Sequence, residues 1–330
     1  MPIDSSKISV SIIIPVYQGK DTLERCVCSC LSQKNIAAEE IELIIVDDGS
    51  TDESGSIADK LALEDEGGRI KVIHTDNHGV SHARNTGIES ATGRFVAFVD
   101  SDDYLTEDHL SKLIKYADEE TLIVDETDSY AAAMKINGFN YIENAILNQD
   151  THVWGKLFDR KLIVDGNIRF EEGLTIGEDL LFLMDVATFI GKKRVIRCIA
   201  ESSYVYTENE NSAMNRAFKP SYLDQLICWK KAEEKLFSIR EYVSPYAFVS
   251  VGVSQILTAL LVVGKVAVQG DDRDKKLDET AISKVKEQID HALKTRGVFA
   301  ALSFGHKLKV IVFRCNPDWY LRLYSRHKSA

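Results

Sequence analysis

The strongest constraint in this chain is a pattern that recurs: a short apolar run, rich in β-branched and aromatic residues, that stops at a polar or acidic group. Ile8–Val16 (ISVSIIIPV) ends before Tyr17. Ile41–Val46 (IELIIV) ends at Asp47-Asp48-Gly49-Ser50-Thr51-Asp52, and Phe95–Val99 (FVAFV) runs into Asp100, Ser101, Asp102 and Asp103. Runs of this length and composition predict buried strands. Helical spacing fills the gaps. Leu23, Val27, Cys30 and Leu31 form a stripe on a helix over Thr22–Gln33, with Asp21 placed to cap it. Ser50 and Glu53 have capping-box spacing for the next helix. Arg69–His74 predicts a third strand, and a loop at Gly79 leads to a helix holding Arg84 and Asn85, which Ala91-Thr92-Gly93 closes. Strand and helix alternating in this way specify an α/β fold with a mainly parallel sheet. The carboxyl ends of parallel strands share one rim, and ligands bind there. Tyr17, Asp47 and Asp100 are therefore expected on a common rim.

The acidic end of the Phe95–Val99 run is chemically demanding. Three carboxylates are costly to bury without partners, and a hard divalent cation is their usual counter-charge. If extended geometry persists, Asp100 and Asp102 point the same way. A lone D-x-D also serves as a solvated acidic turn, so the weight lies in three candidate ligand groups on one rim.

At 330 residues, with 45% hydrophobic and 28% charged content, the chain has the composition of a globular protein large enough for two domains. Its net charge of −11 is unevenly spread. Residues 211–330 carry 20 Lys and Arg against 12 Asp and Glu, and residues 1–210 carry 20 against 39. An acidic part suits metal ions and, through them, phosphates; a basic part suits an anionic surface or a phosphorylated acceptor rather than nucleic acid. Cys26, Cys28 and Cys30 lie on a predicted helix without neighbouring His or Cys to complete a zinc set, so the six cysteines read as small core residues of a reducing, cytoplasmic compartment. The first apolar stretch is short, holds Pro15 and lacks a basic flank, unlike a signal peptide. Val243–Gly264 is the one long uncharged stretch; its Pro, Ser, Gln and Thr content favours a buried helix over a membrane span.

Beyond Asp103 the pattern weakens. Leu110–Tyr116 predicts a helix and Leu122–Val124 a short strand, whereas 126–150 has no clear period. Val153–Phe158 and Ile168–Gly173 suggest short strands or turns. Thr175-Ile176-Gly177-Glu178-Asp179 opens an apolar helix over Leu180–Ile190, and Lys192–Val205 returns to strand. Helices follow at Ser221–Phe237, Tyr246–Val266 and Ala281–Lys294, with Gly270–Asp274 as a polar linker. The expected division is 1–210 and 211–330.

SIIIPVY, IIVDDGSTDES, HGVSHARNTGI, FVAFVDSDD, WGKLF and GED, in this order over residues 8 to about 190, resemble the family 2 glycosyltransferases, in particular bacterial enzymes of capsular, exopolysaccharide and cell-wall glycan synthesis. The resemblance implies a GT-A fold, a nucleoside-diphosphate sugar donor (UDP above all), a divalent Mn²⁺ or Mg²⁺, and inversion at the anomeric carbon. It makes Asp102 the metal ligand and Asp100 a ribose or outer contact. It places Asp47 on the nucleobase, Pro15, Val16 and Tyr17 around the base pocket, and Arg84 near the nucleotide. Asp179, after Glu178, matches the family's catalytic base; a helix N-terminus lowers a carboxyl pKa, so a useful base there needs desolvation by Leu180 and Leu181. Trp154 reads as a sugar platform, with Lys156 and Glu178 as acceptor or phosphate contacts. Asp103 reads as the N-cap of the next helix. The acceptor expected from the resemblance is a glycan or a lipid-linked sugar. His306–Ala330, with six Lys and Arg against Asp318 alone and with Trp319, Tyr320, Leu321, Leu323 and Tyr324, suits peripheral contact with an anionic membrane or docking on the protein's own core.

Two other classes stay open on sequence. A HAD-type phosphatase also ends a strand in D-x-D, but needs Thr or Val where Tyr104 stands. A non-catalytic nucleotide- or metal-binding module could carry acids at its strand ends. A nicotinamide dehydrogenase is disfavoured because no G-x-G-x-x-G follows the first strand.

Overall fold

A computed structural model describes residues 9–117, 121–126, 134–200, 203–207, 218–268 and 275–328. The elements run β1 (Val10–Val16), α1 (Leu23–Leu31), β2 (Ile41–Asp48), α2 (Ser54–Glu64), β3 (Ile70–Thr75), α3 (Val80–Ser90), β4 (Phe95–Phe98), β5 (Tyr104–Leu105), α4 (His109–Lys115), β6 (Thr121–Glu126), β7 (Met134–Ile136), α5 (Gly138–Asn144), β8 (Lys156–Asp159), α6 (Arg160–Asp165), α7 (Glu178–Ile190), β9 (Val195–Ile199) and β10 (Tyr204–Val205). Helices α8 (Asp224–Ser238), α9 (Pro245–Ala267), α10 (Lys275–Ala292), α11 (Val298–Ala301), α12 (Phe304–Cys315) and α13 (Pro317–Lys328) follow.

The chain forms two compact units, Met1–Leu174 with Glu178–Asn209, and Thr175–Gly177 with Glu210–Ala330. The first is built on an eight-stranded sheet in the order β3-β2-β1-β4-β8-β6-β9-β7. β1 pairs in parallel with both β2 and β4, and β2 with β3. β8 runs antiparallel to both β4 and β6, which makes the sheet mixed beyond β4. Every residue of β1 and β4 is buried, as expected for parallel strands covered on both faces. The connections go outward from β1 to β2 and β3, then return to the other side of β1 at β4. That reversal opens a crevice at the carboxyl ends of β1 and β4, where the sequence places Tyr17 and Asp100. α3 packs on β1 and β2. Gly87 allows this approach: a Cβ there would lie 2.3 Å from Ile13 Cγ2.

Some local expectations fail for identifiable reasons. β2 continues through Asp47 and Asp48, because pairing with His74 and Thr75 of β3 carries the ladder two residues further. Asp21 does not cap α1, whose flanking residue is Thr22 and whose start has no side-chain cap. Ser50 does not cap α2 either: it accepts the Gln18 N–H at 3.1 Å, while Asp52 accepts the Ser54 N–H at 3.0 Å. Of the strand or turn expected at Ile168–Gly173, the turn is what forms, at 172–173. Four cysteines are buried as expected, but Cys28 and Cys315 are exposed. The expected linker at Gly270–Asp274 lies outside the described residues.

The second unit is helical, with a core from Phe218 to Tyr324 centred on α9. Among the described residues, α9 is the one helix long and apolar enough to cross a membrane. Most of that stretch is buried, and α9 packs against α8, α10 and α13, so it is the core helix of this unit.

Candidate active site

The loops that leave β1 and β2 are stitched into one wall. Gln18 Nε2 donates to Thr51 Oγ1 at 2.6 Å, the Gly19 N–H to Ser54 Oγ at 2.8 Å, and Lys20 pairs with Glu53 at 3.0 Å. Tyr17 is exposed at the top of this wall. Pro15 and Val16 are buried, and the Val16 side chain belongs to the core; from these two positions only backbone can face the rim. The two aspartates that end β2 point to opposite faces, as strand alternation requires. Asp47 accepts the Ser50 N–H at 3.1 Å and meets His74 Nδ1 at 2.9 Å. Asp48 accepts the His78 and Gly79 N–H groups at 2.9 and 2.8 Å, at the start of α3. His74 also meets Asp59 Oδ1 at 3.1 Å, and its hydrogen bonds to Asp47 and Asp59 raise its pKa.

The acidic segment after β4 is a turn. The Asp103 N–H donates to the Asp100 carbonyl at 3.0 Å, so extended geometry does not persist from Asp100 to Asp102. Asp103 is buried and caps no helix; α4 starts after Asp108. Its carboxylate accepts Tyr204 Oη–H and the Thr207 N–H, both at 2.7 Å, and burial pushes its pKa up to about 6. The Asp100 N–H donates to the same Tyr204 hydroxyl at 3.1 Å. β10, paired with β5, thus clamps the turn from outside. Asp102 is half-buried, and its carbonyl accepts Arg25 Nη2 at 2.6 Å.

Arg84 joins this turn to the start of α7. The guanidinium is buried beside Phe170, 5.2 Å from the ring centroid. Nη2 donates to Asp100 Oδ1 at 3.0 Å, and Nη1 donates to Glu178 Oε1 at 2.9 Å and Asp179 Oδ1 at 2.7 Å. The other Asp179 oxygen accepts the Val153 N–H at 3.3 Å. Gly177 precedes this pair at φ +97°, a conformation that only glycine adopts readily. One cation faces three carboxylates, a local excess of two negative charges when all are ionised. Burial pushes Asp179 up to about 7 against the opposing pull of Arg84, with Glu178 and Asp100 adding to the rise. Burial also raises Glu178. Desolvation, with the neighbouring acids, therefore outweighs the pull of Arg84 and the Val153 N–H on Asp179. Burial works against the Arg84 charge, but Asp179, Asp100 and Glu178 outweigh it and raise its pKa.

Among the described residues no three His, Cys, Asp or Glu side chains converge to hold a metal ion alone. That donor set still fits Mg²⁺ or Mn²⁺, which commonly bind through one or two carboxylates and complete their shell with water and substrate phosphates. Asp102, with Asp100 two residues away, supplies hard oxygen donors of this kind.

Two expected ligand contacts have other partners. Lys156 is buried and pairs with Asp125 at 2.7 Å and Asp150 at 2.8 Å; Asp125 is its register partner in the β6–β8 ladder and also accepts Tyr141 Oη–H at 2.5 Å. Its ammonium is thus committed inside the sheet, which corrects the expectation of a phosphate or acceptor contact. Glu178 likewise spends its carboxylate on Arg84. Trp154 stacks on His152 at 4.4 Å and Tyr204 at 4.6 Å, beside the end of β4, where it bridges to Phe98. Sequence reasoning missed His74, Tyr204 and the Val153 N–H. The register of β3 on β2 would have found His74; nothing local to the sequence marks the other two.

The mixed sheet with this reversal, which carries an acidic turn at its switch point beside a buried Arg–carboxylate cluster, has the GT-A fold of its glycosyltransferase structural neighbours. The glycosyl transferase family 2 model matches residues 11–165. The chain is 32% identical over 235 residues to the uncharacterized glycosyltransferase EpsJ of Bacillus subtilis (strain 168), covering 66% of each chain. It is 30% identical over 246 residues to the succinoglycan biosynthesis protein ExoO of Rhizobium meliloti (strain 1021), covering 68% of this chain and 67% of that one. It thus spans about two thirds of the length of both relatives. Among solved structures, S. aureus TarS 1-349 in complex with UDP-GlcNAc superposes with a TM-score of 0.60 at 18% identity, covering 98% of this chain and 92% of that one. The chain belongs to glycosyl transferase family 2, which closes off the phosphatase and the dehydrogenase.

Proposed function

We propose that the protein is an inverting, metal-assisted transferase that moves a sugar from a UDP-sugar to the hydroxyl of a glycan or lipid-linked acceptor on the cytoplasmic side of a bacterial membrane. The observation that carries this is the Arg84 cluster at the switch point, with its unbalanced charge and an Asp179 whose pKa stands near neutrality. A bound divalent ion would supply Lewis-acid stabilisation to the departing diphosphate. Asp102 would hold it, and Asp100, two residues away, would be a further hard oxygen donor.

Each residue then has a defined task. Asp47, held in place by His74 and Ser50, keeps lone pairs for a uracil N–H. Tyr17 offers an aromatic face to the base, and the Val16 backbone lines the pocket floor. Arg84 acts as a positioning residue: it fixes Asp100 on the donor side and Asp179 on the acceptor side, rather than gripping the nucleotide. Asp179 takes the proton from the acceptor hydroxyl as that oxygen bonds to the anomeric carbon. The bond from this carbon to the β-phosphate oxygen breaks, UDP carries away the electron pair, and the configuration inverts. The stack around Trp154 ends in exposed His152 and Tyr206, the members able to meet an acceptor sugar. The relatives named for exopolysaccharide synthesis support a glycan product, and the UDP-GlcNAc complex of the structural neighbour supports a UDP donor.

Calorimetric titration of UDP with and without Mn²⁺ tests the donor assignment. Binding is expected only with the metal, and Asp102→Asn is expected to abolish it. Equal affinity without metal, or full retention by Asp102→Asn, would overturn the assignment.

A further inference from the structure

Helix α12 is apolar on two opposite sides. Val310 and Phe313 face the core of the second unit. Phe304, Leu308 and Ile311, at spacings of four and three, form a second stripe that faces solvent, and exposed Cys315 continues it. Phe304 is 84% exposed, Leu308 53% and Ile311 49%. By helical angle this stripe lies nearly opposite Phe313, with Lys307 and Arg314 on one flank, while exposed Lys309 lies about 130° round on the other side. On α13, Trp319 (56% exposed) and Leu323 (43%) face solvent beside exposed Arg322. An apolar stripe on a surface helix normally faces a core, so a second stripe facing water needs its own occupant.

We propose that the outward faces of α12 and α13 dock on an anionic lipid bilayer, with Phe304, Leu308, Ile311 and Trp319 entering the headgroup boundary and the flanking cations meeting lipid phosphates. Charge decides the occupant: Lys309, Arg314 and Arg322 are exposed, with Arg314 also pairing with Asp290 at 2.8 Å, and the only acid in residues 304–328 is Asp318. An apolar face ringed by Lys and Arg, with a Trp at its edge, has the composition of an interfacial helix. A second copy would bring the same cations against themselves. The biological purpose rests on the proposed function, since an enzyme held at the membrane meets lipid-linked acceptors in two dimensions. The surface itself does not depend on that reading.

Co-sedimentation of the full chain with phosphatidylcholine vesicles, with and without about one third phosphatidylglycerol, tests this. The protein is expected to pellet with the anionic vesicles only, and to be released by high salt. Leu308→Asp combined with Ile311→Asp should lower partitioning by roughly tenfold or more, and Lys309→Gln by roughly fivefold. Circular dichroism and Mn²⁺–UDP titration of the same variants separate lost docking from lost folding. Vesicle binding that is equal on neutral lipid, or intact in the double Asp variant, overturns the proposal. So does a dimer in solution that this variant dissolves while vesicles are ignored. Absence of UDP binding in the unmodified protein would sink the donor assignment and leave the vesicle result standing.

Discussion

Asp179 shows how one carboxyl can be set to two opposing influences. Its place at the start of α7 favours the anion, as does Arg84; burial and two neighbouring acids favour the neutral form, and they prevail. A base with a pKa of about 7 is half-ionised near neutrality and matched to accepting a proton there. With ionised Asp179 as the proposed base, the transfer rate should rise with pH, reach half its maximum near 7 and level off above it. Asp179→Asn should remove that limb and lower turnover by roughly 10²–10⁴-fold while leaving Mn²⁺–UDP affinity within about twofold. Steady-state rates with calorimetry would check both; an unchanged rate in Asp179→Asn would assign the base elsewhere. Arg84 illustrates what sequence could not tell. Its motif marks it as important, but its three partners lie 16, 94 and 95 residues away, and only the fold reveals that it serves carboxylates.

Among the elements, β1, β2 and β4 were legible because each is a buried apolar run that stops near a polar group, and because parallel strands with helical crossovers leave few topologies. β8 was harder. Its four residues carry Lys156 where a buried strand should be apolar, and that charge is tolerated because β6 places Asp125 directly opposite. This cross-strand pair cannot be read before the register is known. It also makes a prediction. Lys156→Met should remove the buried counter-charge of Asp125 and cost about 3–5 kcal/mol at pH 8. The cost should shrink toward pH 5, where Asp125, pushed up to about 7 by burial, takes a proton. Denaturant unfolding at the two pH values measures this. Equal losses at both would mean that packing, not charge, holds the strand. The same conflict explains why Asp103 was misread as a cap: the residues that claim it, Tyr204 and Thr207, arrive a hundred residues later.

Taken whole, the chain divides its charge along the sequence, with residues 1–210 net acidic and residues 211–330 net basic. Ligand binding should leave a correspondingly local trace. With saturating Mn²⁺–UDP, amide exchange should slow in 10–19, 47–54 and 95–105, and stay unchanged in 245–267, the core helix of the second unit. Mass-resolved hydrogen exchange reads this directly; protection confined to the helical unit would move the nucleotide site there. The uneven charge around Arg84 has a broader consequence. At neutral pH the cluster keeps part of its excess charge in check by holding on to a proton. The proposed cation beside Asp100 would make that proton redundant, so loading the enzyme would return acid to its surroundings. Occupancy and acidity would thereby be linked, and a fall in pH would slow the proposed transfer twice over, by emptying the site and by protonating the proposed base.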